Sequence, residues 1–343
     1  MHLIDQELNL MIRGRFSEAW KIAEILQKEM PDDYRAKFNR GWFLLNQGNL
    51  QEGFQALERG RALGVYGDTK LNTTKPIWDQ SDLKGKVVIL KLESGYGDNI
   101  ISVRFATEIH KRGGICILCC GKSLHSLFSR IEGVKERITL EQVPSTYHDF
   151  WIPGFSASWL FGHTFETLPN KPYLNAHPES VTIWKTILNS NKPKIGIRWS
   201  GNPLFEHQQF RLFPSKKIIN LHKENEHLQF YSLQRDNDIV ELPKDVVDLQ
   251  HLLLSWEDTA ACIENMDLVI TSCTSIAHLS AAMGKPTWVI TPILPYFVWA
   301  YGTDHSPWYQ ETTRVFRQEV FGEWDAPFEK IAKELEKMFP KNA

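Results

Sequence analysis

The chain has 343 residues, 42% hydrophobic and 23% charged, with a formal net charge of −2. That balance excludes a disordered polar chain and argues against a nucleic-acid binder, which needs a basic face, while the length predicts two or three folding units. The N-terminus, Met1-His-Leu-Ile-Asp-Gln-Glu-Leu8, carries acids where a signal peptide is basic and then apolar, so a cytoplasmic protein is expected. The uncharged stretch between Lys285 and Asp304 is broken by Pro286, Pro292 and Pro295. It reads as a strand and an aromatic loop rather than a transmembrane segment, with an interfacial role as the lesser alternative.

In chain order, Gly14-Arg-Phe-Ser-Glu-Ala-Trp20 aligns with Gly48-Asn-Leu-Gln-Glu-Gly-Phe54 at an offset of 34 residues, the period of tetratricopeptide repeats. Gly14 and Gly48 are predicted to turn between paired helices, Phe16 and Leu50 to start the second helix of each pair, and Trp20 and Phe54 to fill the seam. Residues 1–71 hold fewer than three units, so they are expected to pack on the adjoining domain and to offer a surface to a protein partner. Residues 72–84 are polar and read as a linker.

Residues 85–190 alternate apolar runs at 87–92, 115–120 and 149–152 with expected helices over 99–110 and 123–131. A second α/β unit, 191–343, has expected strands at 194–199, 229–233, 246–249, 268–270, 287–290 and 313–316 and a closing helix capped by Asp325. Two parallel sheets of this kind place a ligand cleft at the C-terminal ends of their strands. Five cysteines suit free thiols, with Cys116, Cys119 and Cys120 acting as small hydrophobes in a strand. A second ligand pair for zinc is missing, as are His-Glu-x-x-His and Asp-x-Asp patterns, so no metal is expected.

Chemistry concentrates at four turns. Around Ile270-Thr-Ser-Cys-Thr-Ser-Ile-Ala-His278 a strand passes through a hydroxyl-rich turn into a helix; Ser272, Thr274, Ser275 and His278 suit a phosphate at the positive end of that helix, or form an ordinary cap. In Gly95-Tyr-Gly97-Asp98 the glycines admit a ligand to the backbone, and Asp98 is a general base or a helix cap. Ser200, Gly201 and Asn202 end a strand and leave room for a phosphate or sugar, with Arg211 as a bidentate cation or a solvated side chain. Leu233 and Gln234 end the next strand, where a base edge meets backbone. Trp256 opens a helix with Asp258 as its expected cap and Glu257 placed for ribose hydroxyls.

Together and in order, Pro76-Ile-Trp78, Glu93-Ser-Gly-Tyr-Gly-Asp98, Trp199-Ser-Gly-Asn-Pro203 with Arg211, Ser255-Trp-Glu-Asp-Thr-Ala260, Thr271-Ser-Cys-Thr-Ser-Ile-Ala-His278 and Ser306-Pro-Trp-Tyr309 carry a family likeness. The chain resembles bacterial tetratricopeptide-repeat glycosyltransferases related to the heptosyltransferase group, glycosyltransferase family 9, and distantly the O-GlcNAc transferases. The resemblance implies a GT-B fold, two Rossmann-like domains facing across a cleft, with the nucleotide sugar held mainly by the C-terminal one and no metal or other cofactor. By position it implies Thr274, Ser275 and His278 at the donor diphosphate, Ser200, Gly201, Asn202 and Arg211 in the same pocket, Leu233 and Gln234 at the base, and Gly95 and Gly97 on the acceptor side with Asp98 as base. Relatives often carry Gln at Ser94, Asp at Cys273 and acids where Gln208-Gln-Phe210 stand. The expected function is transfer of a sugar from a nucleotide-diphosphate sugar to a hydroxyl of a glycan, lipid-linked glycan or protein. The alternative is a catalytically silent interaction protein that binds a nucleotide or a protein partner.

Overall fold

The computed structural model of the chain describes residues 2–61, 66–67, 71–203, 208–235, 240–309 and 312–341; the side chains of Gln208 and Gln209, where relatives carry acids, lie outside the described set. Four helices, α1 (Leu3–Ile12), α2 (Phe16–Glu29), α3 (Tyr34–Asn46) and α4 (Leu50–Arg61), pair as two hairpins. The second helix of each pair starts at Phe16 and Leu50, as the repeat predicts. Gly14 and Gly48 hold matched left-handed turns at φ 75° and 92°, which favour glycine. Asp33 caps α3 by accepting from the N–H groups of Arg35 and Ala36 at 2.9 and 3.2 Å.

The first hairpin builds a small core, around Met11 and Leu26, that it shares with Ala36 and Phe43 of α3, with Trp20 against Phe43 at 5.0 Å. The rest of the second hairpin packs elsewhere. Leu45, Leu50, Phe54 and Leu57 belong to the main core of the molecule. Phe54, expected in the seam, packs edge-on against Phe297 and Trp308 at 5.5 and 6.5 Å. The segment read as a linker is also held: Trp78 is buried, and Ile77 bridges Trp151 in parallel beside the first sheet.

That sheet contains β1 (Val87–Lys91), β2 (Ile115–Cys119), β3 (Val134–Ile138) and β4 (Phe150–Pro153), all parallel in the order β3-β2-β1-β4. β3 escapes a hydrophobic reading because Val134-Lys-Glu-Arg-Ile138 is a charged, half-exposed edge strand. The helix expected over 99–110 is two, α5 (Tyr96–Ser102) and α6 (Phe105–Lys111). Gly95 at the N-cap starts the first early, and the break falls at Arg104, whose buried guanidinium bonds back to the Ile101 carbonyl at 2.9 Å. The helix expected over 123–131 is two 3-10 turns, Lys122–Leu124 and Leu127–Arg130. α7 (Ala157–Leu160) and α8 (Pro178–Ile187) lead to the second unit.

Six parallel strands make the second sheet: β5 (Lys194–Arg198), β6 (Gln229–Ser232), β7 (Val246–Asp248), β8 (Leu268–Ser272), β9 (Thr287–Thr291) and β10 (Thr313–Arg317). Their order, β10-β9-β8-β5-β6-β7, reverses between β5 and β8, as the first sheet reverses between β1 and β4. Such reversals open a crevice at the strands' C-terminal ends. Around this sheet lie α9 (Gln208–Arg211), α10 (Ser215–Ile219), α11 (Leu221–Glu224), α12 (Trp256–Glu264), α13 (Ser275–Ala282) and α14 (Asp325–Met338). Ser255 rather than Asp258 caps α12: its Oγ accepts the Asp258 N–H at 3.0 Å and donates to the Asp258 carboxylate at 2.6 Å. Asp325 lies inside the first turn of α14, with Trp324 in the cap position. The aromatic loop after β9 turns inward, burying Phe297, Trp299, Trp308 and Tyr309 in the main core rather than presenting them to an interface. Among the described residues no helix is long and apolar enough to cross a membrane, and the five cysteines are buried free thiols.

The helices allow two stability tests. A methyl group on Gly53 would stand 2.7 Å from Leu45 Cγ, because α3 and α4 touch there. Gly53→Ala should therefore destabilise the chain by about 1–2 kcal/mol in urea, although alanine ordinarily favours a helix interior. Glu7 is fully buried on α1 beside Asn39, and burial raises its carboxyl to about 7 despite the Asn39 bond and the Arg40 charge. The fold thus prefers protonated Glu7, a contribution complete below the unfolded value near 4.5 and lost as pH rises through 7. Glu7→Gln should match the wild type near pH 4.5 and exceed it by up to roughly 3 kcal/mol at pH 8.

Candidate active site

The loops after β1, β5 and β8 lie at the two points where strand order reverses, and they bring the expected residues together. After β1, Ser94 takes the left-handed φ of 60°, unusual for a side-chain residue, and Gly95 caps α5. One Asp98 oxygen accepts the Gly95 N–H at 3.0 Å; the other accepts the Tyr296 hydroxyl at 2.6 Å. Both readings of Asp98 are thus compatible with its geometry, since one oxygen caps the helix and the other reaches the second unit. Burial lifts the Asp98 carboxyl above the ordinary carboxylate range, against the pull of the Tyr296 and Gly95 bonds.

After β8, Thr274 stands at the N-cap of α13 and, among the described residues, no side chain caps that helix; Thr274 Oγ1 lies 3.3 Å from Thr271 Oγ1. Ser272 ends β8 with a buried hydroxyl that has no partner among the described residues. The N-termini of α5 and α13 meet at Gly97, where a methyl group would stand 2.9 Å from His278 Cδ2 and 3.6 Å from the Ser275 Cα. His278 is buried, stacked on Trp299 at 4.8 Å, with Nδ1 3.0 Å from the Tyr309 hydroxyl. Burial first, then the charges of Arg104 and Arg211, hold its imidazole down to about 3, so it is neutral near pH 7. Arg104 donates to the Tyr173 hydroxyl at 2.9 Å and to main-chain carbonyls of Ile101, Pro169 and Trp308, and lies 4.8 Å from the Tyr309 ring.

Beside the α13 N-terminus, Arg211 Nη1 donates to the Cys273 carbonyl at 2.7 Å. A methyl on Gly201 would stand 2.9 Å from Arg211 Nη2 and 3.0 Å from Thr274 Cγ2, so any larger residue there would push on the guanidinium and on Thr274. Trp299 Nε1 donates to the Cys273 thiol at 2.9 Å. Gln234 donates to Ser200 Oγ at 2.8 Å and accepts the Ser200 N–H at 3.3 Å, while Arg198 holds the Leu233 carbonyl at 3.1 Å. Asn202 is exposed at the rim.

Trp256 packs on Tyr96 with ring centres 4.9 Å apart. The Glu257 carboxylate, expected at ribose, instead ties the units together: Arg130 donates to both its oxygens at 2.7 and 3.0 Å, and the His177 N–H donates to one. Among the described residues no group of three or more His, Cys, Asp or Glu side chains is placed to hold a metal ion. Sequence reasoning assigned no role to Tyr296, Trp299, Tyr309, Tyr173 or Arg104. The Ser306-Pro-Trp-Tyr309 motif was the available signal for Tyr309; Arg104 is hidden inside an apparently continuous helix.

No protein-family model matches the chain. It is 24% identical to protein FlbA of Caulobacter vibrioides over 340 positions, covering 87% of this chain and 54% of FlbA, so it spans about half the length of the curated relative it matches. Among solved structures, a family 9 glycosyl transferase from Veillonella parvula superposes with a TM-score of 0.57 at 11% identity, covering 76% of this chain and 98% of that one. The ADP-heptose LPS heptosyltransferase II of E. coli superposes with a TM-score of 0.53 at 14% identity, covering 74% and 98%. At such identities the likeness is one of fold: the chain has the two-unit GT-B fold of these glycosyltransferases, preceded by a helical region.

Proposed function

We propose that the chain is a glycosyltransferase that moves a sugar, a hexose or a heptose, from a nucleotide-diphosphate sugar to an acceptor hydroxyl. The observation that carries this reading is the meeting of Asp98, on the N-terminus of α5, with the uncapped N-terminus of α13 beside Arg211. The first-turn N–H groups of α13, the loop from Ser200 to Asn202 and Arg211 would bind the diphosphate and stabilise its charge as it leaves, without needing a metal. Asp98, made more basic by burial and oriented by Tyr296, would take the proton of the acceptor hydroxyl. Neutral His278 would orient through Tyr309 and shape the pocket rather than supply charge. The tetratricopeptide-like helices of residues 1–71 would present the first hairpin to a protein acceptor or partner; the acceptor is a glycan, a lipid-linked glycan or a protein.

One contact favours the second reading, a nucleotide-binding module without turnover. Gly97 packs on His278 too tightly to admit a methyl group, so transfer requires the two N-termini to part as donor and acceptor enter.

The test offers UDP-, GDP-, ADP- and dTDP-sugars with EDTA present and measures released nucleoside diphosphate together with thermal shift. One donor should be turned over. Arg211→Ala should weaken donor binding, while Asp98→Asn should keep the thermal shift and slow transfer about 10²–10⁴-fold. The acid limb of the kcat/KM profile should lie above the usual carboxylate range and disappear in Asp98→Asn, because the base must be deprotonated to act. A shift without release would leave the nucleotide-binding module; neither shift nor release with any donor would contradict the transferase and leave a silent protein that binds a protein partner.

A further inference from the structure

Glu93 stands one residue before left-handed Ser94 and two before the α5 cap, in the loop that delivers Asp98. The residue is 1% exposed, and its side chain turns back to the helical region, where Arg61 at the end of α4 pairs with both its oxygens, through Nη1 and, at 3.3 Å, through Nη2. Arg61 also bonds Glu58 at 3.0 Å and Ser156 Oγ at 2.9 Å. The same Glu93 carboxylate accepts the Phe155 N–H at 3.1 Å from the loop after β4, and its main-chain carbonyl accepts Asn99 Nδ2 at 2.9 Å from α5. Tyr66 lies 5.3 Å from the guanidinium, and Gly67 closes over the pair so tightly that a methyl there would stand 2.7 Å from Arg61 and 2.8 Å from Glu93.

A buried ion pair is a costly way to hold a helix on a body, since an apolar pair of similar volume usually holds as well or better. An apolar pair lacks direction, however. The two-pronged contact fixes the orientation of residue 93 immediately before a backbone turn that side-chain residues avoid. We infer that Arg61 is a positioning residue of the candidate active site: through Glu93 it sets the backbone of residues 94–98 and so the placement of Asp98 against Tyr296. The helical region is in this way part of the catalytic unit, whatever else its first hairpin binds.

The test compares the full chain with Arg61→Met, Glu93→Met and the double variant, the last made together with Glu58→Gln so that no carboxylate is left without its guanidinium partner. Each is followed by melting temperature, by amide hydrogen exchange over residues 93–99 and by turnover of the donor identified through nucleoside diphosphate release. The double variant should melt close to the wild type, exchange at 93–99 about tenfold faster or more, and lose about tenfold or more in kcat with donor KM nearly unchanged. Wild-type exchange at 93–99 in a folded double variant would overturn the inference, because the pair would then only hold α4. If the double variant does not fold, Arg61→Lys keeps the charge without the fork and should show the same faster exchange; wild-type exchange there would overturn the inference equally. The turnover arm rests on the transferase reading. Should the wild type turn over no donor, that reading fails, and exchange alone decides the role of Arg61.

Discussion

The first turns of α5 and α13 meet at Gly97, and most of the candidate site's chemistry stems from that contact. Each helix N-terminus carries partial positive charge, and Arg104 and Arg211 lie close enough to depress the basicity of His278. Such a place favours anions. Asp98 stands there within the chain, and the bonds from Tyr296 and Gly95 offset part of the desolvation that raises its carboxyl. A diphosphate would bring an anion to α13. His278 stays neutral first because it is buried and then because Arg104 and Arg211 lie near it, so it contributes shape and a hydrogen bond to Tyr309 where a protonated imidazole would only add to the positive field.

The packing explains how the contact is held. The loop after β9 wraps Tyr296, Phe297, Trp299, Trp308 and Tyr309 into the junction, where they touch α4, α5 and α13 and close one continuous apolar core across all three parts of the chain. Arg104 is sealed inside this aromatic shell with carbonyl and hydroxyl acceptors in place of an acid. The first hairpin closes its small core on Ala36 and Phe43 of α3, outside the main core; the second hairpin contributes Leu45, Leu50, Phe54 and Leu57 to the main core.

Much of this was legible in the sequence, and the physical reasons differ for what was not. Continuous apolar runs expose buried parallel strands, so nine of the ten described strands were expected; β3 was missed because its charges mark an edge exposed to water. The repeat was legible at Gly14 and Gly48 because a left-handed turn selects glycine. Ser200, Gln234 and Thr274 were legible as polar residues just past strand ends, and Asp98, Arg211 and His278 as polar residues of the helices that follow. Tyr296, Arg104 and the Arg61–Glu93 pair were not, because their meaning lies in contacts spanning 198, 204 and 32 residues. Glu257 was assigned by its place at a helix start, and only the approach of Arg130 from the other unit redirects its carboxylate.

The most direct measurement is a crystal structure of the chain with the nucleoside diphosphate that gives the largest thermal shift. The diphosphate is expected against the first-turn N–H groups of α13, within hydrogen-bond reach of Arg211 and the Ser200–Asn202 loop, with Asp98 facing the vacated sugar position. A nucleotide bound elsewhere, with α13 and Arg211 unchanged, would contradict the assignment of this junction as the donor site.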